Sequence, residues 1–161
     1  MKEVMNRTAG DNAYLHKDFH AALSTALFYL EKTYGADAVR EYLRQFATTF
    51  YSELKADLKR RGLVALQEHY AHIYEIEEGD VRFEATRAAL TLQVMACPAV
   101  MYMREHDRPV SPLWYETIKT VNETICEGTP FKAELVDYDA STGRSTVRFS
   151  RRQQSRQGRA S

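Results

Sequence analysis

FKAELVDYDASTGRSTVRFS, residues 131–150, decides the fold class. Two runs of alternating apolar and polar residues, 131–138 and 144–150, flank Asp139-Ala140-Ser141-Thr142-Gly143. Those five residues tolerate tight backbone geometry, so the segment reads as an antiparallel hairpin with one buried face. Immediately upstream, Gly128-Thr129-Pro130 closes a helix that Ser111-Pro112 opens, with a capping hydroxyl followed by proline at the first helical position. That helix runs to about Cys126, with Leu113, Thr117, Val121 and Ile125 on one side.

Moving further toward the N-terminus, the alternation returns. Val81, Phe83 and Ala85, then Leu90, Leu92, Val94 and Ala96, predict two more strands. Cys97-Pro98 breaks the pattern, and AVMYMREH after it reads as a short helical turn. Before Glu77-Glu78-Gly79-Asp80 the period is helical. Leu15, Phe19, Ala22, Leu23, Ala26, Leu27 and Leu30 stripe a helix over 12–34 that Gly35 stops. A second helix, 37–61, carries Val39, Tyr42, Leu43, Phe46, Phe50, Leu54 and Leu58, with basic residues in its last turn and Gly62 at its end. A third covers 63–74, with Leu66, Tyr70, Ile73 and Tyr74 inward. The expected fold is therefore α+β: three N-terminal helices packed on a four-stranded antiparallel sheet, with a further helix between the strand pairs.

The length suits one domain, over residues 1–150, followed by a tail at 151–161. Hydrophobic residues at 44% and charged residues at 27% exclude a disordered or membrane-like chain. No apolar run approaches the roughly 18 residues of a membrane span, so no membrane partner is expected. MKEVMNRTAGDN has no apolar core of a secretory signal, which predicts a cytoplasmic protein. Cys97 and Cys126 form no CxxC pair, and both are expected as reduced thiols. Four of the 22 basic residues fall in the last twelve positions, which hold no acid, leaving a mildly acidic body. Such a tail could meet nucleic acid or acidic lipid. With no aromatic interleaved for base stacking, it reads as a solvated, disordered end, and nucleic acid is not an expected partner.

Three groups of residues could carry chemistry. Cys97 precedes a helical turn, where the positive end of the helix dipole favours a thiolate nucleophile, with His16 or His106 as the proton carrier. The bland alternative is a buried thiol that only packs. His16 and His20 stand four apart and His69 and His72 three apart, spacings that can hold a divalent metal in a bundle. Helical angle favours His16 and His69 with His20 further out, against the alternative of histidines hydrogen-bonded at the helix surface. Tyr102, Trp114, Tyr115 and Tyr138 fall at strand–helix junctions and could line a pocket for a small-molecule ligand, or simply pack. The Tyr- and Phe-rich helices could also form a homodimer interface. The carboxylates Glu75, Glu77, Glu78 and Asp80 read as a solvated turn. The absence of a Walker loop, GxGxxG, GxSxG and HExxH removes the usual signals of P-loop, Rossmann, α/β-hydrolase and zincin chemistry.

LTLQVMACPAVMYMRE (90–105), a following helix, and ICEGTPFKAELVDYDASTGRSTVRF (125–149) together resemble the L-2-amino-thiazoline-4-carboxylic acid hydrolase-like family. HKDFHAALSTALFYLEKTYG (16–35) and EYLRQFA (41–47) fit the same kind of small bacterial protein. The resemblance covers about residues 12–150, and its most recognisable pieces are the Cys-Pro after a strand and the Glu-Gly-x-Pro-Phe before one. The order of elements is also similar to the V4R ligand-binding fold. The resemblance implies hydrolysis of a C–N bond in a small cyclic amidine with Cys97 at the site, or a non-catalytic small-molecule binding or sensor domain on the same fold. A His-ligated metal protein is the third expectation.

Overall fold

The structure is a computed structural model, and it describes residues 18–153. Six helices and four strands follow in the order α1 (Asp18–Tyr34), α2 (Ala36–Phe50), α3 (Ser52–Arg61), α4 (Leu63–Ile76), β1 (Val81–Ala85), β2 (Ala89–Val94), α5 (Pro98–Glu105), α6 (Glu116–Cys126), β3 (Phe131–Asp139) and β4 (Arg144–Arg151). The class is α+β, with helices first and strand pairs separated by helix.

Four helices precede the first strand rather than three, because the expected 37–61 helix is interrupted at Tyr51 (φ −99°, ψ 20°). The hydrogen-bond ladder survives the break, with Tyr51 N–H on Ala47 O and Lys55 N–H on Tyr51 O. Thr48 donates its hydroxyl back to Arg44 O at 2.8 Å, a contact that bends helices. The Tyr51 ring meets Phe46, Phe50 and His69 edge-on. The other helix that shifts is α6. Ser111 Oγ accepts from Leu113 N–H at 3.1 Å, as a cap should, but residues 112–115 only turn and the α-helix proper starts at Glu116.

The sheet is antiparallel in the order β1-β2-β4-β3. Its register stacks the apolar positions: Ala85, Leu90, Phe149 and Ala133 form one cross-strand row, and Phe83, Leu92, Val147 and Leu135 the next. Leu90, Phe149, Leu92 and Val147, with Val94, join Leu27, Val39, Leu43, Leu58, Leu66 and Ile125 in the core, Phe83, Ala133 and Leu135 pack against it, and Ala85 at the end of β1 is exposed. The opposite face presents Glu84, Thr91, Arg148 and Glu134 in a polar row. A bulge between Leu135 and Asp137 turns Val136 outward, and the register beyond it pairs Tyr138 with Ser145. β4 runs through Arg151, so the expected tail boundary falls inside a strand. Arg152 then bonds Pro130 O through its backbone and Phe131 O through its side chain.

Two buried polar contacts lock helices together. Arg40 of α2 donates Nε–H to Glu116 of α6 at 2.8 Å, and Thr120 donates to the other carboxylate oxygen at 2.6 Å. Burial alone would raise the Glu116 carboxyl pKa, but the Thr120 and Arg40 donors hold it below the usual range. Tyr70 of α4 bonds Asn122 of α6, whose amide donates to Ile118 O. Among the described residues no helix is long and apolar enough to cross a membrane.

Candidate functional site around Cys97

Cys97 stands where four elements meet. It follows β2 and caps α5 with extended backbone (φ −75°, ψ 119°), and Pro98 holds the first helical turn. Its N–H donates to Thr142 O at 2.9 Å, which ties it to the β3–β4 turn. That turn can approach because residue 143 is glycine: a Cβ there would lie 2.5 Å from Cys97 Cβ and 2.8 Å from Val100 Cγ2. On another side Gly79 seats the α4–β1 turn, and a Cβ there would lie 2.6 Å from the Tyr74 ring and 2.9 Å from Pro98.

The thiol is partly buried, and burial pushes its pKa up. The backbone N–H groups of Val100 and Ala99 favour the thiolate, the Glu77 carboxylate disfavours it, and the Trp114 side chain favours it. The expected dipole effect is therefore present but outweighed by desolvation. Tyr74 and Tyr138 feel the same sulfur: burial first, then Cys97, raises both hydroxyls, Tyr138 up to about 12.

A link between distant parts of the sequence brings a histidine to this group. Ser24 of α1 donates to Pro109 O at 2.8 Å and accepts from Ser111 N–H at 2.9 Å, fastening the α5–α6 loop to α1. Trp114, 4% exposed, is the anchor of that loop. One turn before Ser24, His20 meets Trp114 edge-on with ring centroids 6.4 Å apart. The His20 Nε2 lies 3.5 Å from Glu77 Oε1, with both side chains 14% exposed. Cys97, Trp114, His20, Glu77, Tyr74 and Tyr138 thus gather from α1, α4, α5, β3 and the α5–α6 loop.

The residues singled out from sequence distribute unevenly around this centre. Cys97, Trp114 and Tyr138 belong to it. Tyr115 packs at 6.1 Å from the Tyr138 ring, one layer out. His106 caps the far end of α5, its Nδ1 2.8 Å from Tyr102 O and its ring 4.1 Å from the Tyr102 ring. Helical rise of 1.5 Å per residue puts roughly 13 Å between the two ends of α5, beyond direct proton transfer to Cys97. His16 lies outside the described residues.

His69, the remaining metal candidate with His20, packs edge-on to Tyr51 and Tyr70 at 5.7 and 5.2 Å. Burial, then the neighbouring His72, lowers its pKa to about 4. Among the described residues no three of His, Cys, Asp and Glu gather so as to hold a metal ion.

Glu77 and Tyr74 are the members that sequence reasoning missed. Glu77 sits in an acidic run whose neighbours Glu75, Glu78 and Asp80 are exposed, and nothing in that run marks the one that turns inward. A hollow of about 340 Å³ is lined, among the described residues, by Ala21, Ala22, Thr25, Arg108 and Pro109. Neither His20 nor Cys97 lines it.

Compared with known proteins, the chain matches no family model and no curated protein.

Proposed function

We propose that this chain is a small-molecule hydrolase that opens a C–N bond of a cyclic amidine through the thiol of Cys97. The observation that carries the reading is the placement of Cys97 at the start of α5, partly buried, beside Trp114, Tyr74, Tyr138 and the His20–Glu77 pair. The resemblance of residues 90–105 and 125–149 to the thiazoline-carboxylate hydrolase-like family points the same way.

A neutral thiol needs a base, because the thiolate is the nucleophile. His20 takes that role in place of His16 and His106. The sulfur forms a bond to the amidine carbon, the C=N π pair moves to nitrogen, and that nitrogen takes the thiol proton by way of His20. That proton passes on to the other nitrogen as its C–N bond breaks, releasing an amine and leaving a neutral thioimidate on Cys97. Water adds to that carbon, the C–S bond breaks, and the thiol is restored; the sum is amidine plus water giving amide plus amine. Tyr138 and Trp114 are the polar-tipped walls against which a small ring would lie.

A second reading, a binding or sensor domain without turnover, is favoured by the raised thiol pKa. One experiment separates them. The protein is incubated with L-2-amino-thiazoline-4-carboxylate, product is followed by mass spectrometry, and thermal stabilisation is recorded in parallel. Turnover that Cys97→Ser abolishes supports the hydrolase. Stabilisation without product supports the sensor, and turnover undiminished in Cys97→Ser removes the thiol from the mechanism.

A further inference from the structure

α1 is apolar nearly all the way round. Its stretch FHAALSTALFYL, residues 19–30, contains no Asp, Glu, Lys or Arg. A helix of that composition is normally enclosed on every side. Here one side is: Ser24 and Leu27 are fully buried against the rest of the chain. At about 100° per residue, Phe19, Ala22, Ala26, Tyr29 and Thr33 fall on the other side. Phe19 is 62% exposed and Tyr29 61%. Tyr34, 67% exposed, stands edge-on to Tyr29 with ring centroids 6.4 Å apart. The result is an apolar stripe along the whole helix rather than scattered single rings.

Area and charge say what covers it. An aromatic side chain can bury 150–250 Å², so at these exposures the three rings leave about 400 Å² uncovered per copy. A patch of that size marks an interaction surface. Two copies face to face would remove about 800 Å² from the rings alone. The alanines and threonines between them carry the total past the roughly 1,000 Å² that a specific interface needs. Two-fold pairing sets like residues near one another, which opposes self-association of a charged face, and residues 19–30 carry no fixed charge.

The register follows from the helix itself. Ala26 is the middle residue of α1 (Asp18–Tyr34). An antiparallel two-fold through Ala26 puts small residues at the crossing, where helix axes can approach to about 8 Å. It carries Tyr29 of one copy toward Ala22 of the other, and Phe19 toward Thr33 and Tyr34. In such a pair the same flanks of the two helices lie on the same side. Tyr29 and Thr25 share a flank, so Tyr29 is directed at the hollow lined by Ala21, Ala22, Thr25, Arg108 and Pro109. Arg108 is exposed, and its guanidinium has no hydrogen bond or ion pair among the described residues, which leaves it able to lie on a tyrosine ring. We propose that two copies of this chain pair antiparallel through the exposed side of α1, with the Tyr29 ring of each seated in the other's hollow against Arg108. The pairing does not rest on the hydrolase reading, since His20 and Ser24 use the opposite side of α1.

Sedimentation equilibrium of the full chain at micromolar concentration is expected to give twice the 18.6 kDa of one chain. Ala26→Arg keeps a good helix former and opposes two charges at the two-fold, so it should sediment as a monomer with unchanged circular dichroism. Tyr29→Ala should raise the dimer dissociation constant roughly a hundredfold, because two tyrosine anchors are lost. Arg108→Ala should raise it roughly tenfold through the two cation–ring contacts. Val136→Lys, at an exposed position on β3, should leave it at the parent's value. A short bis-maleimide should join Ala26→Cys to its counterpart above the parent's background, but not Thr33→Cys, whose copies stand about 20 Å apart along the helices.

A single-chain mass for the parent would overturn the proposal. So would a dimer that survives both Ala26→Arg and Tyr29→Ala in folded protein, or one lost only in Val136→Lys. Cross-linking at position 33 and not at 26 would overturn the antiparallel register, and a dissociation constant unmoved by Arg108→Ala would overturn the seating of Tyr29 in the hollow.

Discussion

Titrating His69 offers a direct measure of how tightly α4 packs on the α2–α3 break. Its imidazole is wedged between the Tyr51 and Tyr70 rings, and its pKa falls from 6.5 to about 4, first through burial and then through the charge of His72. A group whose folded pKa lies below its unfolded one binds more protons when the chain is unfolded. Stability must then rise with pH across the interval between the two values and be lost as pH falls through it. At ~1.4 kcal/mol per pKa unit, the full separation corresponds to about 3 kcal/mol, reached only below a pH of about 4. At about pH 5 the unfolded imidazole is charged and the folded one still neutral, so about 2 kcal/mol of the loss is expressed relative to about pH 7.5.

Carboxylates titrate over the same range, so the parent alone is not informative. The comparison is with His69→Phe, which keeps a ring between the two tyrosines and removes the proton. Urea unfolding of both proteins at each pH gives four free energies, and their double difference isolates the histidine. A parent that loses about 2 kcal/mol more than His69→Phe on going to about pH 5 supports the packing described. Equal losses in the two proteins would show that water reaches His69 in the folded state and would refute the reasoning.

Two further substitutions probe the contacts that position the site. Gly143→Ala is expected to destabilise by about 1–3 kcal/mol from its left-handed backbone alone, with a further cost from the clash with Cys97 and Val100. Gly128→Ala, at φ +69° with nothing within 4 Å, should cost only the first part, so equal losses of thermal stability in the two would discount the close approach at Cys97. Glu116→Ala strands the buried Thr120 hydroxyl, worth about 1–3 kcal/mol, and should lower the melting temperature clearly. Asp37→Asn, whose side chain is 98% exposed, should leave it unchanged, and a similar drop in both would show that the Arg40–Glu116 contact is not a special tie between α2 and α6.

The elements are legible wherever periodicity and a terminator agree. The alternation at 81–85, 90–94 and in the 131–150 hairpin emerges as strands because one face of each is buried, and Gly35 and Gly62 end helices at positive φ where side chains are disfavoured. The break at Tyr51 is not legible, since the apolar stripe of 37–61 continues through it and the hydrogen bonds do too. At the break a threonine hydroxyl bonds back to Arg44 and the Tyr51 ring meets a histidine on α4. Neither leaves a mark on hydrophobic pattern. The start of α6 is misplaced for a related reason: Ser111 and Pro112 do make a capped turn, but Ser111 N–H is taken by Ser24 of α1, a partner 87 residues away.

The same distinction explains the candidate site. Cys97 could be found from the strand before it and the proline after it, because its position at the start of α5 is local. Its companions could not, because they are chosen by tertiary contacts. Four of the five histidines sit in two spaced pairs, HKDFH and HYAH, and spacing treats the members of each pair alike. Packing does not: Ser24 pins the loop carrying Trp114 to α1, where His20 meets the indole and, from α4, Glu77. His69, with an equally suggestive neighbour three residues on, is instead absorbed between tyrosines and kept neutral. Likewise Glu77 is half-buried and faces His20, whereas Glu75, Glu78 and Asp80 in the same run are exposed. The turn that follows Glu77 thus closes on Pro98 at a glycine, where a Cβ would lie 2.6 Å from the Tyr74 ring and 2.9 Å from Pro98.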